Sequence, residues 1–316
     1  MNFTNLQYFL VVAEELNITR AAERLYLSQQ SLSNHINRLE KYYNTQLFER
    51  TPSLSLTYAG KCLEKTARQI IGLERQVTAQ IDDIHHRRRG ELRIGISHTR
   101  GQVLLPHILP AFHRDNPFVE LQIVEGNTAE LEEKLRHSQV DLVITNAPVM
   151  VPETEQISIA DERLFLCVPK HMAERICTTP AQYETMRISA NLHTFSKFPF
   201  LMLMRGNYVR TMVDELMLQE NIHPNVILEM ENIETLLHLS GEGMGITFYP
   251  EMFVNELGGS FGDSRLYERL CFFPLSDPIT TVHLVAAYKK NRYLPEAAKD
   301  FIGRTVDTFG GQFYGW

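Results

Sequence analysis

The chain has 316 residues, too many for one ordinary compact core, so two or three domains are expected. Hydrophobic residues make up 44% and charged residues 22%, the balance of a water-soluble globular protein, and no stretch is long and apolar enough to cross a bilayer. The net charge of -7 is uneven: residues 1–58 sum to zero, 59–90 to +3 and the remainder to -10, so charge permits a nucleic-acid partner at the N-terminal end without arguing for one.

Met1 to Leu6 has no basic region followed by an apolar core, so nothing there marks the chain for export, and a cytoplasmic location is expected. In TNLQYFLVVAEEL, the residues Leu6, Phe9, Leu10, Ala13 and Leu16 follow the spacing of one helix stripe. After a break at Asn17-Ile18, Thr19 reads as the N-cap of a second helix, RAAERLY. Its Ala21, Ala22 and Leu25 form a small-residue face that lets another helix approach closely. A tight turn at Leu27-Ser28 follows, with Ser28 placed to cap a third helix, QQSLSNHINRLEKYY. Leu32, Ile36 and Leu39 share one face of it. At about 100° per residue, Gln30, Ser33, Asn34, Asn37 and Lys41 fall on the opposite face. That face is polar, amide-rich and short-chained, which suits the recognition helix of a helix-turn-helix, since Asn and Gln pair bidentately with adenine. A three-helix core fragment with a solvated outer face would show the same pattern.

The longer segment separates the two. It carries L-x-x-F at Leu6, then T-R-A-A-E-R-L from Thr19 and S-Q-x-x-L-S from Ser28. I-x-R-L-E follows from Ile36, L-F-E-R from Leu47 and L-T-x-A-G from Leu56. Almost end to end, residues 1–58 resemble the winged helix-turn-helix of the LysR-type transcriptional regulators. The resemblance implies DNA contact by Thr19, Ser28, Gln29, Gln30, Ser33, Asn34, Asn37 and Arg38, with a wing at Arg50, Pro52 and Ser53. The family usually has proline where Gln30 stands and basic residues where Asn34 and Asn37 stand. Losing two charges implies weaker phosphate attraction and a shallower salt dependence, with Arg20, Arg38, Lys41 and Arg50 remaining.

Residues 59–90 read as a linker. Leu63, Ile70, Val77 and Ile84 recur every seven residues, with Leu73 in the intervening seam position and Ala67 and Ile81 alongside. There is no proline, and Gly60 and Gly72 are the two glycines before the hinge His85-His86-Arg87-Arg88-Arg89-Gly90. Such a seam points to a coiled-coil partner, although an amphipathic helix packed on its own domain would also show it. In LysR-type proteins this helix pairs subunits, which implies a homodimer or homotetramer on an interrupted palindromic operator in double-stranded DNA, with RNA polymerase a further candidate partner.

After Gly90 strands and helices alternate. ELRIGIS, VELQIVEG and VDLVITN are strand runs separated by helices opening near Thr99 and Asn127, the β-α-β-α-β order of a doubly wound sheet. RLFLCVP (163–169) begins a second unit, with later strands near 198–204, 225–230 and 244–249, and TTVHLVAAYKK returns to strand before a closing helix from Pro295. This resembles the two-lobed type 2 periplasmic-binding-protein fold that LysR-type sensors share. The expected fold class is therefore a mostly α N-terminal winged helix-turn-helix, a long linker helix, and an α/β two-lobed effector domain over residues 91–303. Lobe I is expected at about 91–162 and 270–303, lobe II at about 163–269, with crossings near 161–164 and 266–272 and a tail at 304–316. The resemblance places a small-molecule effector, carboxylate-like or otherwise anionic, between the lobes. Its expected contacts are Ser97, His98, Thr99, Thr128, Thr145 and Asn146, with Met202, Met204 and Phe248 as an apolar wall. Each hydroxyl or amide at a helix start also suits an ordinary cap.

No catalytic constellation is found. Ser97 and His98 are sequence neighbours without a G-x-S-x-G elbow, and the glycine-rich turn around Met244 has neither G-x-G-x-x-G nor a P-loop lysine. Cys62, Cys167, Cys177 and Cys271 are scattered, which argues against a zinc or disulfide framework, and Asp82-Asp83 beside His85-His86 reads as a solvated helix end. No metal and no cofactor are expected. The competing function class, a solute-binding or storage protein whose N-terminal helices only mediate assembly, is disfavoured by the helix-turn-helix.

Overall fold

The computed structural model describes residues 2–51, 53–84, 90–257 and 264–310. Pro52, the basic run Arg87-Arg88-Arg89 and the tail residues 311–316 lie outside the described residues.

The head is built from three helices and a short wing. Helix α1 (Phe3–Glu15) buries the expected Leu6, Phe9, Leu10 and Ala13. Helix α2 (Ile18–Arg24) is capped by Asn17, whose Oδ1 accepts from the N–H groups of Thr19 and Arg20. Thr19 is therefore inside the first turn rather than at the cap: asparagine caps as well as threonine, and Asn17 already has the extended backbone a cap requires. Helix α3 (Gln29–Tyr43) starts at Ser28, which accepts from Ser31 N–H as expected, and buries Leu32, Ile36 and Leu39. Strands β1 (Phe48–Glu49) and β2 (Ser55–Leu56) pair antiparallel and form the wing.

Helix α4 (Tyr58–Ile84) runs 27 residues, about 40 Å, and its apolar residues divide between two duties. Leu63, Ala67 and Ile71 are buried in the core of the head, with Ile70 half-buried against it. Leu63 and Ile70 thus serve the head of their own chain and not the expected seam. Leu73, Val77 and Ile81 are exposed at 54%, 56% and 49%. The head takes the first half of the helix because the stripe of α1 lies against it.

The effector domain opens with β3 (Gly90–Ile96), α5 (His98–Asp115), β4 (Val119–Glu125), α6 (Thr128–Arg136) and β5 (Leu142–Asn146), and β3 is parallel to both β4 and β5. The next strand, β6 (Thr154–Pro169), is longer than the expected 163–169 and belongs to both lobes. Its first part pairs with β11 (Thr281–Lys289) in lobe I. Its second part pairs with β9 (Thr247–Pro250) and β10 (Leu270–Pro274) in lobe II. Because β10 lies in the lobe II sheet, the return crossing falls between β10 and β11 and not at 266–272.

Lobe II continues through α7 (Lys170–Ile176) and α8 (Pro180–Ile188), with a 3-10 turn at Leu192–Phe195 whose Phe195 packs against Phe273. Parallel strands β7 (Pro199–Leu203) and β8 (Asn225–Met230) flank α9 (Tyr208–Gln219), and α10 (Ile233–Gly241) leads into β9. Short helices α11 (Glu251–Leu257) and α12 (Ser264–Arg269) follow. The closing helix α13 (Glu296–Phe309) packs on α5 through Phe301 and Phe112. Thr305 and Phe309 are buried, so the domain runs past residue 303 and the tail is shorter than expected.

Candidate nucleic-acid interface and effector cleft

On the head, Ser28, Gln29, Gln30, Asn34 and Arg38 are exposed along α3, and Ser33 and Asn37 are half-buried beside them. Asn37 is not free: its Oδ1 accepts from Arg50 at 3.1 Å, which ties the wing to the recognition helix. Arg50 also lies 3.7 Å from Glu40, whose other oxygen accepts from Leu47 N–H at 2.9 Å. Glu40 thus braces the start of the wing. Arg20 is held by Glu15 at 2.8 Å and Arg24 by Glu14 and Glu15. These arginines hold the Glu15 carboxyl below its ordinary range, Arg20 first. Arg20 is therefore engaged in an exposed ion pair that a phosphate would have to displace, and Arg38 and Lys41 supply the exposed charge of α3. Thr19 and Ser53 are exposed near these elements. Tyr26 is 96% exposed in the turn before α3 with φ of 54°, where the sequence reads as the end of α2.

At the junction of the lobes Ser97 occupies the N-cap position of α5, yet its hydroxyl makes no capping bond. His98 Nδ1 lies 3.1 Å from Glu125 and its Nε2 3.0 Å from Gln102, so His98 faces the surface. One turn along α5, Arg100 is buried and paired with Glu162. Its guanidinium also donates to Asn146 Oδ1 at 3.4 Å and sits 4.9 Å from the Phe253 ring centre. Glu162 accepts in turn from Met252 N–H at 3.0 Å, and Arg163 donates to Glu251 at 2.6 Å. Four charged side chains therefore fasten α5 and α11 to the shared strand β6. Nearer the mouth, the Tyr208 hydroxyl of lobe II donates to the Ala147 carbonyl of lobe I at 2.9 Å. Burial, with Glu215 nearby, pushes the Tyr208 phenol up.

Of the nine residues expected in the cleft, Ser97, Thr99, Thr145 and Asn146 lie at the strand and helix ends around Arg100. Thr128 is on the first turn of α6, where Asn127 and Glu130 complete a capping box without it. Met202 and Phe248 do not form an apolar wall. Both are buried in lobe II, where Phe248 stacks on Phe200 and the two line a void of ~10 Å³ with Arg210 and Thr247. Met204, just beyond β7, is exposed. Strands β7 and β9 are covered on both sides, so neighbouring residues share burial and no alternation marks a cleft face.

The same architecture recurs in known proteins. Residues 3–61 match the family described as "Bacterial regulatory helix-turn-helix protein, lysR family", and residues 85–310 match "LysR substrate binding domain". The chain belongs to the LysR family of transcriptional regulators. The regulator is 30% identical over 305 residues to the Hca operon transcriptional activator HcaR of Escherichia coli, covering 96% of each chain. It is 35% identical over 170 residues to the regulator CysL of Bacillus subtilis, covering 54% of this chain and 57% of that one. Among solved structures, a full-length single-substitution variant of OxyR from Pseudomonas aeruginosa superposes with a TM-score of 0.71 at 24% identity, covering 96% and 94% of the two chains. CbnR superposes with a TM-score of 0.65 at 21% identity, covering 98% and 99%. At these identities the structures speak for the fold alone. Among the described residues no helix is long and apolar enough to cross a membrane, and no group of His, Cys, Asp or Glu is arranged to hold a metal ion.

Proposed function

We propose that this LysR-type regulator reads an interrupted palindromic operator as a homodimer or homotetramer, and that a small carboxylate or similar anion held between its lobes sets the arrangement of the paired heads. The observation that carries the assembly is the second half of α4. Leu73, Val77 and Ile81 stand four residues apart and exposed, a stripe that its own chain leaves uncovered and a second copy of α4 would bury. CbnR has been crystallised with its target DNA, and this chain shares its fold.

The effector reading rests on the uncommitted Ser97 hydroxyl at the start of an 18-residue helix, where free N–H groups and the helix dipole favour negative charge. Arg100 is already neutralised by Glu162, so it shapes the floor and leaves the helix start to receive the anion. A peroxide-responsive reading is suggested by the hydrogen peroxide-inducible genes activator of Dickeya chrysanthemi, 28% identical over 295 residues. It is disfavoured for the effector-domain thiols: burial pushes Cys167, Cys177 and Cys271 up, away from the thiolate that peroxide attacks.

Selection of random duplex DNA by the purified protein tests the operator reading. Enrichment of two half-sites with dyad symmetry is expected; enrichment of a single unrepeated half-site, or of nothing with and without candidate carboxylates, would refute it.

A further inference from the structure

The linker helix crosses lobe I closely. Gly72 is buried at the crossing, where an added side chain would stand 3.0 Å from the Arg292 guanidinium and 3.1 Å from Ser138 Cβ. Beside this crossing lies a small pocket lined by Gln76 of α4, Ser138 and Asp141 ahead of β5, Lys289 at the end of β11, and Arg292 and Tyr293 after it. Its enclosed part, ~20 Å³, takes one oxygen-sized group, and the rest opens to solvent.

The polar groups around it do not balance. Ser138 Oγ is buried without a hydrogen-bond partner, and so is Arg93 Nε. The same Arg93 holds Ser138 O at 3.5 Å and Asp141 Oδ1 at 3.4 Å. Lys289 donates to the Arg136 carbonyl at 2.6 Å, a neutral partner. The Arg292 side chain makes no hydrogen bond or ion pair among the described residues. Arg93 and Arg292 thus face Asp141, whose carboxylate is already bonded to Arg93 N–H at 2.8 Å, and Lys289 faces Glu153 with Arg292 and Arg136 beside it. Glu91, another acid nearby, is shared between Arg75 at 3.5 Å and Arg93 at 4.0 Å. Burial lowers the pKa of Arg93, Lys289 and Arg292, offset in part by Asp141 at the two arginines and by Glu153 at the lysine, and Arg292 lowers that of Lys289 further.

We propose that this pocket is a second ligand site, separate from the cleft between the lobes, which takes a small oxyanion between α4 and lobe I. A water would satisfy Ser138 Oγ and leave the surplus charge in place. An anion accepts from Ser138 and Arg292 and offsets that charge as well. Because Gln76 lines the same pocket, the anion favours the docked linker by its differential affinity for docked and undocked forms. Lobe I and the linker are thereby coupled at a point the inter-lobe ligand does not touch.

The test titrates the full-length protein and its Arg292→Gln variant with inorganic phosphate, sulfate and acetate, at ionic strength matched with chloride. Calorimetry should show a saturable event in the wild-type chain, distinct from any at the cleft because it does not depend on Ser97, with a melting midpoint roughly 2–4 °C higher near saturation. Both should vanish in Arg292→Gln, while its midpoint in chloride stays at or above that of the wild type. Lys289→Gln should weaken binding several-fold, and it carries the test if Arg292→Gln does not fold. Phosphate and sulfate without acetate assign a tetrahedral anion, and acetate alone assigns a carboxylate head. Ser97→Ala should retain the event, whereas its loss there would move the anion to the cleft and overturn the proposal. Equal midpoint gains in wild type and Arg292→Gln would reflect general salt exclusion. That result, or the absence of a saturable event, leaves the pocket to water and also overturns the proposal.

Discussion

The head and the junction of the lobes use polar residues in opposite ways. On α3 the amides and hydroxyls of Gln29, Gln30 and Asn34 are exposed on a face whose reverse buries Leu32, Ile36 and Leu39. At the junction Arg100, Glu162 and Glu251 are buried and tied to one another or to backbone across three elements. The first arrangement leaves groups free to meet a partner at little cost to folding. The second commits them to holding two lobes in register, and removing one member strands the other in a low-dielectric interior.

Breaking that second arrangement should give the largest effect. Glu162→Ala leaves Arg100 buried without its carboxylate and should cost about 3–5 kcal/mol in denaturant unfolding. Adding Arg100→Leu should recover much of the loss; a double variant no more stable than the single one would mean that the charges do more than neutralise each other. Next comes Val77→Asp on the exposed half of α4. It should halve the mass seen by light scattering at micromolar concentration and leave the head folded, since Val77 lies outside the head core. An unchanged mass would place the subunit contact elsewhere.

Gln29→Ala should weaken binding to a selected operator by about 1–3 kcal/mol and leave binding to random duplex unchanged; equal losses on both would assign Gln29 to the DNA backbone. Tyr208→Phe removes the hydroxyl that joins the lobes and should shift the balance between open and closed forms by about 0.5–1.5 kcal/mol. That shift would appear as a change in effector affinity without a change in head stability. The smallest effect belongs to Lys41→Gln, which should lower the slope of log affinity against log salt by about one. A matching change from Arg20→Gln would contradict the ion pair that holds Arg20 to Glu15.

The head was legible because its contacts are local. Helix periodicity, the Ser28 cap and the run of family motifs all act within a few residues, and each pattern appears again in the structure. The cap of α2 shifted from Thr19 to Asn17, α2 ended at Arg24 ahead of Tyr26, and Leu16, expected in the stripe of α1, is its exposed C-cap. The seam on α4 was half legible: a seven-residue repeat reports an apolar stripe but not what covers it, and the head covers Leu63 and Ile70 while leaving Leu73 and Val77 exposed. In the effector domain the order of strands and helices was legible, while the length of β6 was not. TEQISIADERLFLCVP carries no single alternation, because its two ends serve different sheets.

By itself, then, the sequence determined the class of protein, the helix-turn-helix with its outward face, and the alternation of strands and helices in two lobes. The class rests on the resemblance carried by the run of family motifs, and the other two on spacing within single elements. Tertiary structure decided that Met202 and Phe248 pack inside lobe II and that Arg100 meets Glu162. It also set Ser138, Lys289 and Arg292 around a pocket beneath the linker helix. Those outcomes depend on which elements touch across long separations in the chain. A charged or apolar residue looks the same in sequence whether water, its own domain or a distant strand receives it.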